Sequence, residues 1–140
     1  MATTTDDDLF GAEHVAAYRE TGGERGYHWR GTTILLLDTV GRRTGAPHTA
    51  PLIYRPDGDR FVIVASKGGR PEHPAGFLNL EARPETQIQV LDEQIPVRMA
   101  EAEGAERERL WRHMTEVWPD YDAYQRKTDR RIPIGVLVRR

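Results

Sequence analysis

The chain has 140 residues, of which 38% are hydrophobic and 30% charged, with 20 Lys and Arg against 22 Asp and Glu for a formal charge of −2. That length holds one core and excludes a multidomain reading, while the charge excludes the strong positive field of a protein that coats nucleic acid. Cysteine is absent, which removes thiolate nucleophiles, Cys-ligated zinc and CxxC redox chemistry together and fits a cytoplasmic protein.

In chain order, residues 1–8 are polar, acidic and without periodicity, and are expected to form a flexible leader. Residues 13–20 read as a short helix stopped by Gly22 and Gly23, so residues 1–24 are set apart from a single domain over 25–140. The apolar run Ile34-Leu35-Leu36-Leu37 predicts a strand buried on both faces and ended near Gly41. Residues 49–55 and 60–66 follow as a hairpin whose Pro56-Asp57-Gly58-Asp59 turn makes a loop of about four residues. Residues 75–81 form a helical candidate halted by Pro84. Two strands, 86–91 and 95–101, are separated by Asp92-Glu93-Gln94, and Ile95, Val97 and Met99 alternate with Pro96, Arg98 and Ala100. An amphipathic helix is expected over 105–117, with Leu110, Met114 and Val117 on one face, then a second helix over 120–127. Ile132, Ile134, Val136 and Val138 alternate in a final strand, and Arg130 and Arg131 just before it are expected at the surface or in salt bridges.

Hairpin-length loops between successive strands exclude a doubly wound parallel sheet, which needs a helix between each pair. The expected fold is mainly β, in the α+β class: a split β-barrel of about six antiparallel strands with short helices packed outside. The longest apolar run, residues 61–65, is far short of the roughly 20 residues of a membrane helix. No stable membrane insertion is expected, and peripheral contact is left open.

The residues that carry chemistry are few. Gly41-Arg42-Arg43-Thr44-Gly45 offers two permissive residues, a hydroxyl and two forked cations, and reads either as a small-anion site or as a solvated hairpin turn. Ser66-Lys67-Gly68-Gly69 reads either as a cradle of backbone N–H groups and a cation or as a plain loop start. No Walker or GxGxxG spacing is present. The five histidines have no metal-ligand spacing, and the single serine, Ser66, lies in no GxSxG elbow. A metal centre and a hydrolytic triad are therefore not expected, and any catalysis needs an organic cofactor for its hard step. Tyr121 and Tyr124 lie three apart, on one side of a helix, where they either wall a flat substrate or pack on the barrel.

Taken together, Asp38-Thr39-Val40-Gly41-Arg42-Arg43-Thr44-Gly45, Pro51-Leu52, Asp57-Gly58-Asp59-Arg60, Val64-Ala65-Ser66-Lys67-Gly68-Gly69, His73-Pro74, Phe77-Leu78-Asn79-Leu80, Tyr121, Tyr124-Gln125, Thr128-Asp129-Arg130 and Ile132-Pro133-Ile134 resemble the deazaflavin-dependent nitroreductase and quinone reductase family of actinobacteria. The resemblance spans residues 33–137. It implies an oxidoreductase that passes a hydride from reduced coenzyme F-420, an 8-hydroxy-5-deazaflavin with a phosphate and a glutamyl tail, to a quinone, nitroaromatic or activated alkene. By the same resemblance Arg42, Arg43, Thr44 and His48 sit at the anionic tail with help from Lys67. Ser66, Gly68 and Gly69 lie along the deazaflavin head, with Pro51 in the groove. Trp118, Tyr121 and Tyr124 line the acceptor pocket, Tyr121 as the hydrogen-bonding residue, so that Tyr121 and Ser66 are the catalytic candidates. Ala75-Gly76 stands where relatives are bulkier, which implies a roomier pocket. Two alternatives are an FMN-dependent enzyme on the same barrel and a non-catalytic deazaflavin carrier. The expected partner is a small-molecule acceptor, with the chain as a monomer or homodimer.

Overall fold

A computed structural model describes residues 6–140. Its helices are α1 (Gly11–Thr21), α2 (Ala75–Ala82), α3 (Gly104–Thr115) and α4 (Asp120–Arg126). Its strands are β1 (His28–Trp29), β2 (Thr32–Val40), β3 (Pro47–Asp57), β4 (Arg60–Val64), β5 (Glu85–Val90), β6 (Glu93–Glu101) and β7 (Ile134–Arg139). The sheet runs β1-β2-β3-β4-β7-β6-β5, every pair antiparallel, and β5 returns to pair with β2. Six strands thus close a barrel, and the two-residue β1, which the sequence pattern did not reveal, is a flap on its rim.

The barrel works because three of its strands are apolar on both faces. Leu35 and Leu37 point inward with Phe61, Ile63, Ile88, Ile95, Val97, Met99 and Leu137, while Ile34 and Leu36 lie under Tyr18 of α1. On the opposite wall Val62, Val64, Ile134 and Val136 face outward under Leu110, Met114 and Tyr121 of α3 and α4. Period-two alternation sends neighbouring residues to opposite faces, and a helix on the outside makes both faces dry. The final strand differs from the simple alternation expected of it. Leu137, not the Ile134 series, fills the interior, and Val138 at the barrel end is 42% exposed.

Helix α1 ends at Gly22 in the left-handed region (φ 61°), as the sequence indicates. It is docked by Tyr18, whose hydroxyl donates to the Ile34 carbonyl (2.9 Å) and accepts from the Leu91 amide (2.8 Å). Burial pushes that phenol up to about 12. Of the leader expected over residues 1–8, residues 1–5 lie outside the described residues. Asp6–Asp8 forms a 3₁₀ turn in which Asp6 accepts from the Gly26 amide (2.9 Å) and Asp7 from the Arg30 amide (2.8 Å).

Two loops are tighter than expected. Asp57 pairs with Arg60 and Pro56 with Phe61 inside the ladder, leaving Gly58 (φ 62°) and Asp59 as a two-residue connection. Likewise β5 and β6 pair out to Val90 and Glu93, leaving only Leu91 and Asp92 between them. Both follow from the ladder extending to the last residues that can pair.

The Asp57 carboxylate accepts Arg109 Nη1 and Nη2 (2.9 and 3.0 Å) and is also bonded by Arg60, which staples α3 to the hairpin. Those hydrogen bonds hold its pKa well below the usual carboxylate range. The stabilisation is therefore complete above the unfolded carboxylate pKa, about 4, and fades as pH falls toward the folded value. Arg109 is half-exposed, which trims the gain. Asp57→Asn is expected to cost about 1 kcal/mol at neutral pH and to flatten the acid limb of stability below about pH 5, read by urea unfolding across pH.

Candidate functional site

The barrel is not sealed evenly. Strands β2 and β3 pair over eight rungs, from Val40↔Pro47 to Thr33↔Tyr54, but β3 and β4 pair over only three, from Arg55↔Val62 to Asp57↔Arg60. Beyond Arg55 the two strands part, and the gap opens a cleft of about 460 Å³. One lip is β3, residues 50–53, where Pro51 brings no N–H to the opened edge. The other is the end of β4 and the loop after it, residues 63–68, and Phe77 and Leu80 of α2 close the cleft on one side.

The second lip has unusual backbone. Ser66 is right-handed (φ −79°, ψ −39°), and Lys67 (φ 47°), Gly68 (φ 64°) and Gly69 (φ 83°) are left-handed. A right-to-left succession turns consecutive N–H groups to one side, which is the geometry of an anion-binding nest. The amides of Gly69 and Arg70 are spent on the carbonyls of Ser66 and Lys67. Among the described residues the amides of Ser66, Lys67 and Gly68 and the Ser66 hydroxyl have no partner, and all three residues line the cleft. The Lys67 ammonium rests on Glu72 (3.1 Å).

Helix α4 covers the cleft mouth. Tyr121 is buried and has no hydrogen-bond partner for its hydroxyl among the described residues, and burial raises its pKa above the ordinary phenol value. Tyr124 stands edge-on to it at 6.1 Å and accepts a long bond from Trp118 Nε1 (3.4 Å). Trp118 in turn stacks on Trp29 (5.8 Å, 25°). Gly69 lies behind this wall: a Cβ there would stand 2.6 Å from the Tyr124 carbonyl oxygen.

The structure thus brings Pro51, Ser66, Lys67, Gly68, Trp118, Tyr121 and Tyr124 around one cleft. Arg42, Arg43, Thr44 and His48 are not among its walls. They lie in the exposed β2–β3 hairpin, His48 opposite Thr39, and Thr44 accepts from the Ala46 amide (3.2 Å). Arg42 is tied to the cleft indirectly. Its amide and Nη1 both donate to Asn79 Oδ1 (3.1 and 3.2 Å) on α2, beside the cleft residue Leu80. Gly76 leaves open space, since a Cβ on it would meet nothing within 4 Å.

Three wall residues carried no signal in the sequence: Phe10 and His14 at the start of α1, and Trp29 of β1. Arg130, expected at the surface or in a salt bridge, has no ion pair among the described residues; it is turned onto backbone carbonyls of the 65–70 loop, which desolvates it and lowers its pKa. No helix among the described residues is long and apolar enough to cross a membrane.

A six-stranded antiparallel barrel that splits between two strands, with a glycine nest on one lip and a tyrosine pair over the gap, defines a split-barrel protein whose cleft fits a flat ligand with polar edges. Solved structures of the same architecture include an F420-H2 Dependent Reductase, FDR-A (38% identity, TM-score 0.68, covering 74% of this chain and 92% of that one). Another is a domain-swapped dimer (35% identity, TM-score 0.72, covering 89% and 92%). The chain belongs to the F420H(2)-dependent quinone reductase family, whose pattern matches residues 11–139. An F420H(2)-dependent quinone reductase of Mycobacterium tuberculosis (strain H37Rv) is 40% identical over 131 residues, covering 91% of this chain and 88% of that protein.

Proposed function

We propose that this protein uses the reduced deazaflavin coenzyme F-420 to reduce quinones, and that nitroaromatics and activated alkenes of similar shape serve as further acceptors. The observation that carries the reading is the open seam between β3 and β4, flanked by apolar side chains and edged by unpartnered N–H donors, in a chain of this family. When bound, the reduced coenzyme supplies the hydride, and the acceptor gains that hydride and one proton.

The residues present fit such a coenzyme on chemical grounds. A planar ring system needs a narrow apolar slot, which Pro51 and Ala65 flank, and its electron-rich edge needs donors, which Ser66, Lys67 and Gly68 supply. An anionic tail needs forked cations, and Arg42 and Arg43 project from the hairpin beyond α2, Arg42 held in place by Asn79. Thr44 and His48 belong to the same basic hairpin and are assigned to the tail with them, while Lys67 serves both ends. Trp118 and Tyr124 flank the acceptor side, and the Tyr121 hydroxyl donates to the acceptor oxygen. Gly69 acts from behind by letting the lip lie against α4.

The test is anaerobic mixing of the protein with reduced coenzyme and a panel of naphthoquinones, nitroaromatics and enones while coenzyme reoxidation is followed. Enzyme-dependent reoxidation by quinones supports the proposal. A yellow preparation with a flavin spectrum, or coenzyme that binds but is never reoxidised, contradicts it. Tyr121→Phe is expected to lower kcat/KM for the quinone about tenfold, the worth of one hydrogen bond, and to leave coenzyme affinity unchanged. Because burial raises the Tyr121 pKa above the ordinary phenol value, the phenol is expected to stay mostly protonated between pH 8 and 10. A loss of rate between pH 8 and 10 that disappears in Tyr121→Phe would contradict the raised pKa, and a kcat/KM that Tyr121→Phe leaves unchanged would contradict the donor role.

A further inference from the structure

Four hydrogen bonds converge on one guanidinium that makes no ion pair among the described residues. Arg130 Nε donates to the Arg70 carbonyl (2.8 Å), Nη1 to the Ala65 carbonyl (3.2 Å) and to His73 Nδ1 (2.9 Å), and Nη2 to the Ser66 carbonyl (2.7 Å). In a trans peptide the C=O and the following N–H point in opposite directions. Holding the carbonyls of Ala65 and Ser66 on the guanidinium therefore aims the amides of Ser66 and Lys67 the other way, and those are the amides without a partner among the described residues.

The same residue is referenced to the opposite side of the cleft. Gln125, next to Tyr124 on α4, donates from Nε2 to the Arg130 carbonyl (2.8 Å) and accepts the Ile132 amide on Oε1 (2.9 Å). Helix α4 also touches the lip at Gly69, where even a Cβ would overlap the Tyr124 backbone. The lip and the tyrosine helix are thus braced by one side chain and one close backbone contact.

We infer that Arg130 is a positioning residue for hydride transfer: by gripping the backfaces of the Ala65 and Ser66 peptides while tethered to α4, it sets both the aim of the lip's N–H groups and the gap between coenzyme and acceptor. This rests on the reaction proposed above. The planar fork is essential, because it spans three carbonyls and an imidazole from one rigid group, whereas a lysine ammonium is a single point.

Arg130→Lys tests the inference in two ways. In the ligand-free protein, hydrogen exchange of the hydrogen-bonded Gly69 and Arg70 amides is expected to rise about tenfold while β4 and β7 hold. In single turnover at saturating coenzyme and quinone, hydride transfer is expected to slow about 10- to 100-fold per folded molecule, since small misplacements of reacting atoms cost that much. Millimolar guanidinium is expected to restore part of the rate in Arg130→Ala. A purely structural arginine would lower the melting temperature and leave the saturated rate alone. A folded Arg130→Lys with unchanged exchange and a rate within about twofold of wild type overturns the inference while the quinone reductase reading stands. A wild-type protein that never oxidises the coenzyme overturns both. Should Arg130→Lys not fold, His73→Ala removes one of the four acceptors: faster exchange confined to the Gly69 and Arg70 amides supports the inference, and unchanged exchange there overturns it.

Discussion

Gly69→Ala is expected to cost about 2–4 kcal/mol of stability and about 100-fold in kcat/KM, far more than alanine at the neighbouring Gly68. Both positions are left-handed, at φ 83° and 64°, so each substitution carries the backbone penalty of roughly 1 kcal/mol. Only Gly69 adds a collision. Its new Cβ would stand 2.6 Å from the Tyr124 carbonyl oxygen and 2.9 Å from the Tyr124 Cα, whereas nothing lies within 4 Å at Gly68. Backbone cannot rotate away as a side-chain tip can, so the lip must lift from α4 and widen the cleft. Thermal unfolding and steady-state kinetics of the two variants side by side check this, and equal losses would contradict it.

Arg42→Glu combined with Arg43→Glu is expected to weaken coenzyme binding about 10- to 100-fold and to flatten its salt dependence, with the melting temperature nearly unchanged. Both side chains are exposed in the hairpin, so removing them uncovers no core. Arg42 is already oriented by two bonds to Asn79, which lowers the ordering cost of gripping an anion. Arg43 has no side-chain partner among the described residues and is the freer of the two. Fluorescence titration with oxidised coenzyme at several salt concentrations measures the effect. Unchanged affinity in the double variant would remove both residues from the tail site and leave the cleft assignment intact.

What could be read from the sequence was local or repetitive. The Ile34-Leu35-Leu36-Leu37 run identifies a strand dry on both faces because nothing but double burial suits it. The Ile95, Val97 and Met99 alternation marks a half-solvated one, and Gly22 stops a helix wherever it adopts the left-handed region. The resemblance located Ser66, Lys67, Tyr121 and Tyr124, which the fold brings to one cleft although 54 residues or more separate lip from helix. The seam itself was not legible, because where β3 leaves β4 depends on closing the barrel through β5 and β2. Trp29 and His14 were missed for a related reason: they reach the cleft only after α1 and β1 fold over the rim. The contacts of the partly exposed Arg130 were not legible because an arginine among charged neighbours has the sequence pattern of a surface residue, and its acceptors lie about 60 residues away in backbone that has no sequence identity.

The account stands on the split between β3 and β4 being the coenzyme slot. Titrating the wild-type protein with coenzyme F-420 while following the coenzyme's fluorescence, with Ser66→Tyr as the blocked-slot control, tests that directly. Saturable micromolar binding that is abolished in the folded Ser66→Tyr variant is the expected result. Fluorescence that does not respond to the wild-type protein, or binding that survives a tyrosine in the slot, would contradict it.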